Sequence, residues 1–344
     1  MKISKSKFKL ITTTALGILL TAGVHSDAFA AKGGGGGPGG GGGGGGGSTT
    51  TLPANATVAG DSITMGFAAN CTGNVWLWDL ACLLGGDQPE HSWFDGSSSN
   101  VDSVLDKYNS ISRKITVDGN KNAAASGSEM RGGTNNFEVQ SANIVAQSPV
   151  PDHVEVLLGG NDICNRGCTD PANCNNPLYT EQQWRESVQA GLNNLMSGLP
   201  SGAYVQLNGM PRVQDLYQAG VAKEATSGAI NCKSVWSTYD ICRIVTNDGV
   251  LNGEPQSQRL AAVSAAQQRY NEILREEAAA YNTNANGLNP NGIEVVSEYV
   301  DENTLTGGTF QFGANDIDGG DCFHPSVAAQ NTIADFEWAG NTDK

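Results

Sequence analysis

The chain has 344 residues and a formal net charge of −15 at pH 7. An excess of acid on this scale repels nucleic-acid phosphates and anionic membrane surfaces, so neither is an expected partner. Acidity otherwise argues only for solubility.

The first thirty residues read as a signal peptide. Lys2, Lys5, Lys7 and Lys9 make a basic start, Leu10 to Val24 is largely apolar, and Ala28-Phe29-Ala30 has the small-x-small form of a cleavage site. The apolar core is short for a transmembrane anchor, and no cysteine stands near the cut to carry a lipid. The expectation is export. Cleavage would remove four lysines and one aspartate, taking the charge from −15 to −18. Residues 31–52 follow as a linker, with glycine at every position from 33 to 47 except Pro38. Such a run cannot bury enough apolar surface to offset its ordering entropy, so a flexible tether with a reach of about 20 Å is expected.

Residues 53–344 then fit one large α/β domain. Strand-like and helical stretches alternate along it. Thr57-Val58-Ala59 reads as the end of a buried strand broken by Gly60, and Trp76 to Leu84 as a helix or compact loop. Lys114 to Val117, His153 to Leu158, Ala203 to Leu207 and Ile293 to Val296 read as further strands. Thr180 with Gln183 predicts a capping box opening a helix to about Leu199. A long helix is expected over Gln256 to Tyr281, and a last one over Pro325 to Trp338 with proline in its first turn. Alternation of this kind implies a parallel sheet of about five strands covered on both faces. Ligands of such sheets bind beyond the carboxyl ends of the strands, where Ser62, Gly127 and Asn161 are expected.

The chain carries eight cysteines, and an even count in an exported protein points to disulfides. Spacing alone cannot fix the pairs. The local guesses are Cys71 with Cys82 and Cys232 with Cys242, leaving Cys322 for the Cys164, Cys168 and Cys174 group. Zinc is the rival reading for that group, but it has no Cys-x2-Cys pair and no nearby histidine.

Chemistry concentrates in four short stretches. In Gly60-Asp61-Ser62 the serine sits where a strand hands over to a turn, exposing a hydroxyl and a backbone N–H together. Taken alone, the same residues equally suit an Asp/Ser turn that caps a helix. A serine nucleophile needs a base, and His91, His153 and His324 are available after residue 30. His153 opens a strand and reads as a structural or surface histidine, and His91 reads as a solvated loop histidine. His324 lies in Asp321-Cys322-Phe323-His324-Pro325, where a carboxylate three residues earlier can hold its ring. Oxyanion donors are offered by the N–H of Ser62, the N–H of Gly127 and the side-chain amide of Asn161 in Gly159-Gly160-Asn161-Asp162.

In this order the stretches resemble the four sequence blocks of the SGNH (GDSL-type) serine hydrolases. The resemblance implies a three-layer α/β/α fold, Ser62 as nucleophile, His324 as base, Asp321 as its orienter, and an oxyanion hole made by Ser62, Gly127 and Asn161. Finer texture is similar to the phospholipase B-like branch, through Ser92-Trp93, Gly-Gly-Asn-Asp-Ile-Cys with a further Cys168, and Asp-Cys-Phe-His-Pro. No metal or organic cofactor is implied. Asn315 to Asp321 looks like the opening of a calcium loop, but the downstream glutamate is missing. Trp93 is the candidate for lining an acyl pocket. The expected activity is hydrolysis of lipid, phospholipid or small acyl esters. An O-acetylesterase acting on extracellular glycans, or a non-catalytic binding module on a tether, are the alternatives.

Overall fold

The computed structural model describes residues 54–71, 86–112, 122–227, 231–297 and 311–342. The signal segment and tether, the stretch 76–84 and the strand expected at 114–117 lie outside these residues. Four parallel strands make the central sheet: β1 (Ala56–Gly60), β2 (His153–Leu157), β3 (Tyr204–Leu207) and β4 (Glu294–Ser297), in that spatial order. Their register places Val58, Glu155, Gln206 and Val296 side by side. On the free edge of β1, the N–H of Ala123 donates to Val58 O at 3.0 Å and that of Ala125 to Gly60 O at 3.2 Å. The glycine block thus runs along β1 with strand-like spacing, in the place of the fifth strand.

Helices cover both faces of the sheet, as its buried strands require. The chain supplies α1 (Val104–Ser112), α2 (Phe137–Val145), α3 (Gly160–Cys164), α4 (Glu181–Gly198), α5 (Leu216–Ser227), α6 (Cys232–Tyr239), α7 (Arg243–Thr246), α8 (Gln256–Asn282) and α9 (Val327–Gly340). In one layer α4 packs against both α2 and α8, and in the other α9 packs on α1. The α2–α4 contact depends on Gly191, where a Cβ would come within 2.1 Å of the Phe137 ring. Under α9 the sheet face is polar yet satisfied. Gln206 donates to Glu337 O at 3.1 Å and to Asn208 Oδ1 at 2.7 Å, and Asn208 donates to Glu155 Oε2 at 3.0 Å. His153 belongs to this network, 3.2 Å from Glu155 and stacked on Tyr204, a structural histidine.

The capping box of α4 forms as expected. Thr180 accepts from Gln183 N–H at 3.3 Å, and the Gln183 side chain accepts from Thr180 N–H at 2.9 Å. The last helix begins later than its proline suggested. Ser326 caps it by accepting from Ala329 N–H at 3.3 Å, and Pro325 precedes the cap in a bridge to Ile317. A serine oxygen can satisfy a first-turn donor, which proline cannot do. His91 also departs from expectation, being buried in a 3-10 turn over Pro89–His91.

The disulfides among the described residues correct the pairing expected for Cys232, Cys242 and Cys322. They join Cys164 to Cys242, Cys168 to Cys174, and Cys232 to Cys322. Cys232 opens α6 and Cys242 lies past its end. A helix of that length spans about 12 Å, beyond the roughly 7 Å that a disulfide tolerates between Cα atoms. Cys322 therefore pairs with Cys232, and none of the sulfurs in the supposed zinc group is left as a thiolate. Cys71 is also disulfide-bonded; Cys82 lies outside the described residues.

Candidate active site

The end of β1 is built to present Ser62. Gly60 lies so close to Thr64 that a Cβ there would meet Thr64 Oγ1 at 2.2 Å. The buried amide of Gln140 clamps the same residue, accepting from Gly60 N–H at 2.8 Å and donating to Gly60 O at 2.9 Å. Asp61 closes the turn by accepting from Ile63 N–H at 2.9 Å, and Phe67 N–H donates to Ser62 O at 2.9 Å. Burial pushes the Asp61 carboxyl up to about 6, despite the lowering effects of the Ile63 N–H and of His324.

The asparagine block reaches the glycine block through two side chains. Asn161 Nδ2 donates to Ser128 O at 2.9 Å. Asp162, fully buried, accepts from Met130 N–H at 2.6 Å and Arg131 N–H at 3.0 Å. Burial, reinforced by the nearby charge of Glu129, pushes its carboxyl up to about 8 in spite of those donors. The segment carrying Gly127 is thus tied to β1 at one end and to α3 at the other. Gly127 itself takes φ +80°, a conformation that costs a side chain strain, though a Cβ would meet no atom within 4 Å. No protein acceptor among the described residues bonds the N–H of Ser62 or of Gly127. Both residues, with Asn161, line one cavity of about 370 Å³.

The fourth block brings the imidazole to the same cavity. His324 Nε2 lies 2.8 Å from Ser62 Oγ, and His324 Nδ1 lies 2.5 Å from Asp321 Oδ2. Asp321 Oδ1 accepts from the N–H groups of Phe323 at 2.8 Å and His324 at 3.0 Å. Burial alone would raise the Asp321 carboxyl, but the charge of His324 and the hydrogen bonds it receives hold it below the ordinary carboxylate range. Phe67 and Phe323 pack against the imidazole with ring centroids 4.5 and 5.0 Å away. Hydroxyl, imidazole and carboxylate form one hydrogen-bonded series, able to pass a proton from serine to histidine while the carboxylate fixes the ring.

Trp93 is not at the cavity. It is wholly buried, donates to Thr64 Oγ1 at 3.2 Å and meets the Phe94 ring edge-on, so its role is to pack behind the Ser62 turn. The apolar wall of the cavity comes instead from Phe67, Ile241 and Phe323. In the stretch that resembles the opening of a calcium loop, the carboxylates serve the loop itself. Asp316 and Asp318 accept from backbone N–H groups of their own loop, and the Lys223 ammonium donates to the carbonyls of Ala314 and Ile317. Among the described residues no cluster of three acidic, histidine or cysteine side chains could hold a metal ion.

Gln140 was invisible to motif reading. One signal pointed to it: Phe137, Gln140, Ser141 and Ile144 share one stripe of α2, and a glutamine on a buried stripe must find polar partners.

A model of the GDSL-like lipase/acylhydrolase family matches residues 57–336. The chain belongs to this family of ester hydrolases. The match covers the sheet from Thr57 onward and every residue named at the cavity. No curated protein matches this GDSL-like chain. Solved structures that are similar at low identity include the following two. One crystal structure has 13% identity and a TM-score of 0.41, covering 85% of this chain and 97% of its own. The other is an active-site mutant of a family two carbohydrate esterase from Clostridium thermocellum, in complex with celluohexase, with 12% identity and a TM-score of 0.38. That likeness covers 84% of this chain and 63% of the esterase chain.

Proposed function

We propose that this GDSL-like protein is an exported serine esterase that cleaves carboxylic esters through an acyl-enzyme. Ser62 attacks the ester carbonyl while His324 Nε2 takes its proton. Asp321 holds the ring and stabilises the imidazolium. The tetrahedral oxyanion is met by the N–H groups of Ser62 and Gly127 and by Asn161. His324 then returns the proton to the departing alcohol. Water, activated by the same imidazole, releases the acid and regenerates Ser62. The observation that carries this reading is the series from Asp321 to His324 to Ser62, with spacings of 2.5 and 2.8 Å at the cavity. Export is supported by the N-terminal sequence and by the disulfides among the described residues. No described helix is long and apolar enough to cross a membrane.

A second reading, removal of acetyl groups from extracellular glycans, has one observation in its favour. A polar cavity of about 390 Å³ adjoins the first, sharing Cys164, Asn165 and Asp240 and adding Arg166, Asn176, Arg243 and Asn252. A chain-length series of nitrophenyl esters separates the two. Activity on acyl chains of eight or more carbons favours lipid esters, and a sharp preference for acetyl favours the glycan. Ser62→Ala should abolish turnover on every member, by on the order of 10⁴-fold or more. Full activity in that variant would overturn the mechanism.

A further inference from the structure

The loop that delivers Asp321 and His324 holds another carboxyl, which the proposed reaction does not use. Asp318 is 2% exposed. Its Oδ1 accepts from the N–H groups of Gly320 at 2.5 Å and Asp321 at 3.0 Å, and its own N–H donates to His324 O at 2.8 Å. Its Oδ2 is buried and receives no hydrogen bond from any N–H or O–H group among the described residues. Beside it stands the carboxyl of Asp321. Were both ionised, Asp318 Oδ2 would be a desolvated anion without a donor, facing a like charge. A proton on Oδ2 removes both penalties and turns the contact into a hydrogen bond.

We propose that Asp318 is a positioning residue that works as a neutral carboxylic acid, its Oδ2–H donating to the Asp321 carboxylate and steadying the anion that orients His324. This rests on the reading of Ser62, His324 and Asp321 as the reacting set. A carboxylate has about four acceptor sites, and this donor would join the two N–H groups and the imidazole already on Asp321. The charges around the pair agree. Burial, then the Asp321 charge, hold the Asp318 carboxyl well above its ordinary range. Lys223 on α5 is a cation that acts on Asp318, but Asp316 shares it, and two of its three donors go to Ala314 O and Ile317 O. The His324 imidazole is hydrogen-bonded to Asp321, so its charge favours ionisation of Asp321. An acid kept neutral by its surroundings, so that it can donate, is an established device of active sites.

The test combines infrared spectra with pH profiles of kcat/KM on nitrophenyl acetate for the full-length protein, Asp318→Asn and Asp318→Leu. At pH 7 the wild-type-minus-Asn difference spectrum should contain the carbonyl stretch of a protonated carboxylic acid. Asp318→Asn, whose amide can still donate, should keep kcat within about threefold of wild type. Its profile should lack the alkaline decline that loss of the Asp318 proton imposes on the wild type. Asp318→Leu should lower kcat by roughly tenfold or more with little change in KM, since a hydrogen bond to a charged group is lost. A difference spectrum without the acid band, or superimposable pH profiles for wild type and Asp318→Asn, would overturn the proposal. If Asp318→Leu does not fold, the Asn variant and the spectrum still decide. If the wild type hydrolyses no ester and Ser62 takes no fluorophosphonate, the catalytic reading fails, while the infrared band still reports where the proton sits.

Discussion

The two halves of the site are held by different means. Ser62, Gly127 and Asn161 sit beyond strand ends, where pairing along β1 and buried side chains such as Gln140 and Asp162 fix the backbone. Asp321 and His324 lie in a loop between β4 and α9 that belongs to no strand of the central sheet. That loop is stapled instead, by Cys232–Cys322, by Trp236 donating to Cys322 O at 3.1 Å, and by Lys223 donating to Ile317 O at 2.8 Å. At the sheet edge, strand pairing and buried side chains hold Ser62 without a covalent staple. A loop that must bring an imidazole to 2.8 Å from it needs covalent and side-chain fasteners.

The comparison can be broken at either half. On the sheet side, Asn161→Ala removes the proposed oxyanion donor and its bond to Ser128 O, and should lower kcat by on the order of 10²–10³ with the fold intact. Steady-state kinetics and circular dichroism check this. On the loop side, Cys232→Ser with Cys322→Ser opens a covalent loop between residues 90 apart, whereas Cys168→Ser with Cys174→Ser opens one between residues 6 apart. In the chain-entropy account the first pair should cost about 2–5 kcal/mol and the second clearly less. Denaturant midpoints give both values, and activity should fall with the first pair only. Gln140→Leu strands the buried N–H of Gly60, whose carbonyl keeps the Ala125 N–H, and should cost about 1–3 kcal/mol, with kcat falling because the Ser62 turn loosens. Gly127→Ala is the mildest. Its Cβ enters open space at φ +80°, so the cost should be about 1–2 kcal/mol of backbone strain alone.

A pH titration of stability sharpens the same contrast. Asp61 and Asp162 on the sheet side have carboxyls raised to about 6 and about 8. The stability they contribute is full below the unfolded value near pH 4 and is lost as pH rises through about 6 and then about 8. Asp321 on the loop side is lowered, so its contribution is present above about pH 4 and is lost on further acidification. The unfolding midpoint should therefore fall between pH 5 and pH 9, and Asp162→Ala should flatten the upper part of that fall. A midpoint that rises over this range would contradict the assignment of buried, raised carboxyls.

The split also explains what the sequence disclosed. Strand ends announce themselves locally: Val58-Ala59 and the Val-rich His153 to Leu158 are β-prone stretches closed by glycine, and the sheet follows from them. Asp321-x-x-His324 is equally local, since one turn places carboxylate and imidazole together. The fasteners are not local. Cys322 finds Cys232 across 90 residues, Gln140 finds Gly60 across 80, and Gln330 joins Trp93 to Ile63 over more than 230. Nothing in the spacing of such residues names their partners, and short-range pairing misled for Cys232 and Cys242 because a helix fills the interval. Trp93 misled for a related reason. An indole beside the site can line a cavity or back it, and only packing decides which.

The most direct measurement of the central claim is intact-mass and peptide mapping after treatment with a fluorophosphonate. One adduct per chain on Ser62, absent in Ser62→Ala and strongly slowed in His324→Ala, is the predicted result. No adduct, or an adduct elsewhere with Ser62 unmodified, would contradict it.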